Sequence, residues 1–131
     1  MEVNDLAVTF GTRRKQSRAL DGVSLEWRRG EVLGIVGESG CGKSTLARAM
    51  LGLQETSAGE VVLDGHDASG RSEKRELRRR IQMIFQDPYQ TLNPRQRASA
   101  IVAEPLVVQG VDKSLHQERI IKSLEDVGLD P

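Results

Sequence analysis

The stretch that most constrains this chain is Gly37-Glu38-Ser39-Gly40-Cys41-Gly42-Lys43-Ser44, a complete G-x-x-x-x-G-K-[ST] pattern. It follows Val32-Leu33-Gly34-Ile35-Val36, a short apolar run of the kind expected of a strand buried on both faces. It precedes Leu46, Ala49, Met50 and Leu53, which recur at helical spacing. Strand, glycine-rich turn and helix in that order predict an α/β protein. Glycines let the backbone curl so that successive N–H groups point into one hollow. A helix opening there adds unpaired donors and its positive dipole end. Dense negative charge is what such a hollow satisfies, so the motif predicts binding of a nucleoside triphosphate. Lys43 is placed to reach the β- and γ-phosphates, Ser44 to ligate Mg²⁺, and Thr45 to add a hydroxyl contact. The backbone does the binding in such a loop, so Cys41 is expected to be only a small tolerated side chain.

The rest of the composition narrows the setting. The chain has 131 residues, a length that suits one domain at most. Its 19 basic and 19 acidic side chains balance, which excludes a strong global field for nucleic acid. A 37% hydrophobic share excludes wholesale disorder. No apolar run approaches the roughly 18–20 residues a membrane helix needs. Cys41 is the one cysteine, so no intrachain disulfide framework exists, which fits a reducing compartment. Charge is uneven: residues 61–100 carry eight basic and five acidic side chains, residues 101–131 three and six. The basic cluster Arg71, Lys74, Arg75, Arg78, Arg79 and Arg80 is interleaved with Glu73 and Glu76 but with no aromatics, and reads as a solvated helix face. His66 and His116 have no metal-ligand spacing.

Along the chain, Val3, Leu6, Val8 and Phe10 predict an opening strand, Gly11 to Arg18 a polar loop, and Val23, Leu25 and Trp27 a half-buried strand. Ser57-Ala58-Gly59 reads as a turn before a strand from Glu60 to Leu63 that ends at Asp64-Gly65. Val61-Val62-Leu63-Asp64 has the look of an apolar run with a metal-holding Asp, but its turn context suits a hairpin and that reading is rejected. Ser72 to Arg80 predicts a short charged helix and Ile81 to Phe85 a strand. Ala98 to Val108 predicts a helix with a kink or stop near Pro105. In the last helix Ser114 and Gln117 have capping-box spacing, Ile120, Ile121, Leu124 and Val127 form the apolar face, and Gly128 fits the position after the C-cap.

The loop alone does not choose among ATPases, GTPases and kinases; its surroundings do. Phe10 lies 33 residues before Lys43, and Gln86 lies 43 residues after it, inside Phe85-Gln86-Asp87-Pro88-Tyr89-Gln90-Thr91-Leu92-Asn93-Pro94-Arg95. With Val36 to Thr45, this segment resembles the nucleotide-binding subunits of ABC transporters, most closely those of bacterial oligopeptide and dipeptide importers. The resemblance implies an ABC-type P-loop NTPase fold of parallel core strands with the P-loop helix, an antiparallel β subdomain and the start of a helical subdomain, incomplete in this chain. It divides the chain into 1–97 and 98–131. It implies ATP and Mg²⁺ bound by Gly37, Glu38, Ser39, Gly40, Cys41, Gly42, Lys43, Ser44 and Thr45, and adenine stacked on Phe10. Gln86 would contact Mg²⁺ or the attacking water, its amide offering both donor and acceptor. Asp87 to Arg97 would lie near the groove that receives a helix of the membrane permease. Implied partners are that permease and a second ATPase subunit, not nucleic acid, with the protein held peripherally at the cytoplasmic face of the membrane.

The Leu-Ser-Gly-Gly-Gln signature, the second Asp-bearing strand with its catalytic Glu, and the switch His of that family are not in this sequence. The chain is therefore expected to be an N-terminal portion of the domain, without useful turnover alone, and Val32–Val36 is expected to lack neighbours. The alternatives are another P-loop enzyme, a kinase or GTPase, or a nucleotide-binding remnant that does not hydrolyse. The absence of an Asn-Lys-x-Asp guanine-reading motif counts against a GTPase.

Overall fold

Val3, Leu6 and Val8 are buried on an opening strand whose pairing shifts register between Val3 and Leu6, and the apolar residues of the first unit gather around them. The computed structural model describes residues 1–12, 15–68, 70–86 and 92–130. The chain divides into two compact units, Met1–Gln82 and Met83–Pro131.

In the first unit β1 (Glu2–Thr12), β2 (Lys15–Glu26), β3 (Ala58–Leu63) and β4 (His66–Asp67) form one sheet in the order β2-β1-β3-β4, antiparallel throughout. Helix α1 (Lys43–Met50) and helix α2 (Arg71–Arg80) complete the unit. Val3, Leu6, Val8, Leu20, Leu46, Ala49, Met50, Val61, Ala68 and Leu77 make its core. Burying a side chain of this size contributes about 1.5–3 kcal/mol. Leu77 alone anchors α2, since every other residue of that helix is exposed or half-buried.

Three expectations shift at element ends. Of the expected loop Gly11 to Arg18, residues 13–14 lie outside the described residues, and Gly11, Thr12 and Lys15 to Arg18 are strand, because the β1–β2 ladder continues through Phe10–Ser17, Gly11–Gln16 and Thr12–Lys15. The polar side chains there are exposed, and a ladder needs only backbone groups. β3 begins at Ala58, inside the expected turn, because Ala58 pairs with Ala7. Asp64 and Gly65 turn with φ of 51° and 81°, the double positive φ of a tight hairpin, so the hairpin reading of this segment holds.

Val32–Val36, expected as a strand buried on both faces, and Ile81–Phe85, expected as a strand, join no ladder among the described residues. A two-sided apolar strand exists only between partners, and no described segment pairs with either. Val32 is 97% exposed, Val36 94% and Ile84 94%.

The second unit holds helix α3 (Ala98–Gln109), a 3-10 turn (Lys113–Leu115) and helix α4 (His116–Glu125). α3 runs past Pro105 and ends at Gly110, φ 73°, where Val111 N–H bonds Leu106 O at 2.9 Å and Gly110 N–H bonds Val107 O at 3.0 Å. α4 closes the same way at Gly128, with Leu129 N–H on Leu124 O and Gly128 N–H on Glu125 O, both 2.9 Å. Its start differs from expectation. Asp112 caps the 3-10 turn that precedes α4, its Oδ1 accepting from Ser114 N–H at 2.9 Å and Ser114 Oγ–H at 2.7 Å, so Ser114 lies inside that turn and α4 itself starts after Leu115 without a side-chain cap. Ile120, Ile121 and Leu124 are half-buried, whereas Val127 lies beyond the last helical turn and is exposed.

Candidate functional site

The loop Gly37–Gly42 is shaped by its own backbone and one lysine. Glu38 O accepts from Cys41 N–H at 3.3 Å, closing a turn. Gly40 and Gly42 sit at φ 84° and 97°, where side chains are rarely tolerated. From the first turn of α1 the Lys43 ammonium reaches back and donates to Gly37 O and Glu38 O, both at 2.7 Å, and lies 3.5 Å from Cys41 Sγ. This clasp draws the two ends of the loop together.

The inner surface is rich in donors. α1 has no side-chain cap at Gly42 and no acid in its first turn. Its first intrahelical bond is Leu46 N–H to Gly42 O at 2.8 Å. Among the described residues, the N–H groups of Gly40, Gly42, Lys43, Ser44 and Thr45 meet no acceptor in the chain. Orphan donors beside a helix dipole and an ammonium favour a dense anion. Ser44 is exposed, Lys43 and Thr45 are half-buried, and Cys41 is an exposed free thiol.

Gly42 is also sterically required, and Gly37 is close to a side chain. A Cβ on Gly37 would lie 2.7 Å from Cys41 Sγ, and one on Gly42 would lie 2.5 Å from Ala19 O. These features fit a polyphosphate on the loop amides and Lys43, and a divalent cation on the exposed Ser44 hydroxyl.

Phe10 stands on β1 opposite Ser17, two residues from Val8, and is 42% exposed, so it is available for stacking rather than part of the core. Gln86 is exposed, in a bend of the second unit next to residues 87–91. Of the expected permease-facing stretch Asp87 to Arg97, residues 87–91 lie outside the described residues, and Leu92 to Arg97 are exposed.

Asp64 is committed elsewhere. Arg80 pairs with it, and Arg29 lies 3.9 Å away. The hydrogen bond from Arg80 and then its charge hold the Asp64 carboxyl below the usual range. Sequence reasoning missed one neighbour of the loop: Ala19 and Leu20 of β2 lie directly behind Gly42. They stand 22 residues or more from it in sequence, and no local pattern signals that contact.

The family model described as ABC transporter matches residues 20–131. The di/tripeptide transport ATP-binding protein of Pseudomonas aeruginosa is 44% identical over 119 residues, covering 88% of this chain and 37% of that protein. The oligopeptide transport ATP-binding protein of Bacillus subtilis is 42% identical over 134 residues, covering 98% and 44%. A putative peptide import ATP-binding protein of Brucella ovis is 45% identical, covering 100% and 42%. The chain thus spans about two fifths of the length of these curated relatives. Among solved structures, a dimeric bacterial ABC transporter cassette superposes with TM-score 0.81 at 28% identity, over 95% of this chain and 54% of that one. An ATP-binding cassette in a post-hydrolysis state bound to ADP and Pi gives TM-score 0.77 at 27% identity, over the same shares.

Proposed function

Because the chain belongs to the ABC transporter family, we propose that it supplies the ATP-binding half-site of an importer ATPase that couples ATP binding and hydrolysis to the transport of peptides. The observation that carries this reading is the clasped loop: Lys43 bound to Gly37 O and Glu38 O, facing a row of unmet N–H groups at the start of α1. The names of the relatives from Pseudomonas aeruginosa, Bacillus subtilis and Brucella ovis support peptides as the cargo. They also argue against a kinase or GTPase.

In this reading the amides of Gly37 to Thr45 hold the α- and β-phosphates. Lys43 leaves its loop carbonyls to meet the β- and γ-phosphates, exchanging one set of charge-assisted hydrogen bonds for a stronger one. Phe10 stacks on adenine. Ser44 would hold Mg²⁺, which when bound would supply positive charge against the γ-phosphate, and Gln86 would contact that cation or the attacking water. Residues 1–97 form the core and antiparallel β part, and 98–131 begin the helical subdomain. The functional unit pairs with a second ATPase subunit and with a permease, which holds it at the cytoplasmic face of the membrane. No helix among the described residues is long and apolar enough to cross a membrane. Hydrolysis belongs to that two-subunit context, since the family's signature and catalytic Glu segments are not among these 131 residues.

The test is nucleotide binding by the chain, read by displacement of a fluorescent ATP analogue in Mg²⁺ buffer. Saturable ATP binding that disappears in Lys43→Ala is expected; a clear preference for GTP, or full affinity in Lys43→Ala, overturns the reading.

A further inference from the structure

The inner face of the loop meets the nucleotide, and its back is also occupied. β1 and β2 change register between Val8 and Thr9: Val8 stands opposite Leu20 and Thr9 opposite Arg18, leaving Ala19 as an extra residue in β2. Such a bulge bends its strand and re-aims the local peptide groups. Ala19 O lies 2.5 Å, and Leu20 Cδ2 3.0 Å, from the point where Gly42 would carry a Cβ. Gly42 is the residue at which the loop turns into α1, at φ 97° and ψ 2°. The pivot of the loop therefore rests on the bulge with no room for a methyl group between them. Leu20 is itself buried, in one cluster with Leu46 and Ala49 of α1. The same ladder carries Phe10, two residues past Val8 along β1, about 7 Å at the usual strand rise.

We propose that the Ala19–Leu20 bulge is a built-in buttress that fixes the phosphate loop relative to Phe10, with Leu20 as a positioning residue for the nucleotide. The proposal rests on the ATP-binding reading above. Leu20 touches no ligand. It acts through the Gly42 backbone, by denying the loop a position further back. Without the buttress the loop settles toward β2, the amides move off the phosphates, and base and phosphate subsites lose their common spacing. Preorganisation of this kind governs affinity without adding a contact.

The experiment uses the chain and two probes, ATP and inorganic tripolyphosphate, each displacing the fluorescent analogue. Wild type and Lys43→Ala first read whether the loop binds nucleotide at all, so failure there is separable from failure of the buttress. Leu20→Ala is expected to weaken ATP and tripolyphosphate alike, by about tenfold. Leu20→Met refills the space and restores most of the affinity. Val61→Ala, a core truncation on β3, lowers thermal stability comparably but leaves both affinities within about twofold of wild type. Phe10→Ala weakens ATP in the wild-type background and has a smaller effect in the Leu20→Ala background, where ring and loop no longer share a frame. Should Leu20→Ala not fold, Leu20→Val gives a smaller loss of the same kind. Unchanged affinity in the Leu20 variants, an equal loss in Val61→Ala, or the same Phe10→Ala effect in both backgrounds overturns the proposal.

Discussion

Replacing Gly42 by alanine tests the geometry of the loop at its tightest point. Two costs add. A non-glycine residue held at positive φ costs about 1–2 kcal/mol, and Gly42 sits at 97°. The new methyl would also lie 2.5 Å from Ala19 O, well inside the roughly 3.3 Å of even a close C···O contact. Overpacking of this kind costs about 1–3 kcal/mol. Together they come to about 3 kcal/mol, or about a hundredfold in ATP affinity if the strain is released by opening the loop. Gly40 is the internal comparison. Its φ is 84°, yet a Cβ there meets nothing within 4 Å, so Gly40→Ala carries the conformational cost alone and weakens ATP by about tenfold. Displacement titrations of both variants, with circular dichroism melts to confirm folding, give the ranking. Gly42→Ala binding ATP as well as Gly40→Ala would refute the contact between loop and sheet.

The other predictions concern the frame and the rim. Leu77→Ala empties the sole buried anchor of α2, 1% exposed in the parent, and should cost about 3 kcal/mol in urea unfolding; amide exchange across Arg71–Arg80 should accelerate with it, and a protected helix in the variant would contradict the single-anchor account. Asp64 has its pKa lowered by Arg80, so its contribution to stability is present at neutral pH and fades as pH falls below about 4. Asp64→Asn keeps the positive-φ turn and should flatten that acid limb, the two proteins converging at low pH and in 1 M salt; parallel stability curves from pH 7 to pH 2 would count against it. Cys41 is exposed on the loop, so a bulky maleimide should block ATP binding, ATP should protect the thiol, and Cys41→Ser should be insensitive; unchanged affinity after complete modification would displace the thiol from the site.

Much of the site was legible in the sequence because its chemistry is local. Gly37 to Thr45 are contiguous, and the loop, its positive-φ glycines and the helix from Lys43 depend on neighbours a few residues away. Gly110 and Gly128 end α3 and α4 for the same reason, each closing its helix within five residues. Ser114 misled because capping-box spacing names a pair but not its phase, and Asp112 two residues earlier supplied the acceptor. Gly11, Thr12 and Lys15 to Arg18 misled because polarity suggests a loop, whereas ladder pairing asks nothing of the side chains.

The sequence by itself determined a phosphate-binding loop between an apolar run and a helix, its lysine and its hydroxyls, and the family to which the chain belongs. Only the tertiary structure decided that Lys43 clasps Gly37 and Glu38, that Asp64 answers to Arg80, and that a bulge at Ala19 backs Gly42. The physical reason is common to all of these. Propensity and motif spacing are properties of neighbours along the chain. A hydrogen-bonded strand, an ion pair and a close backbone approach depend on what another segment brings alongside.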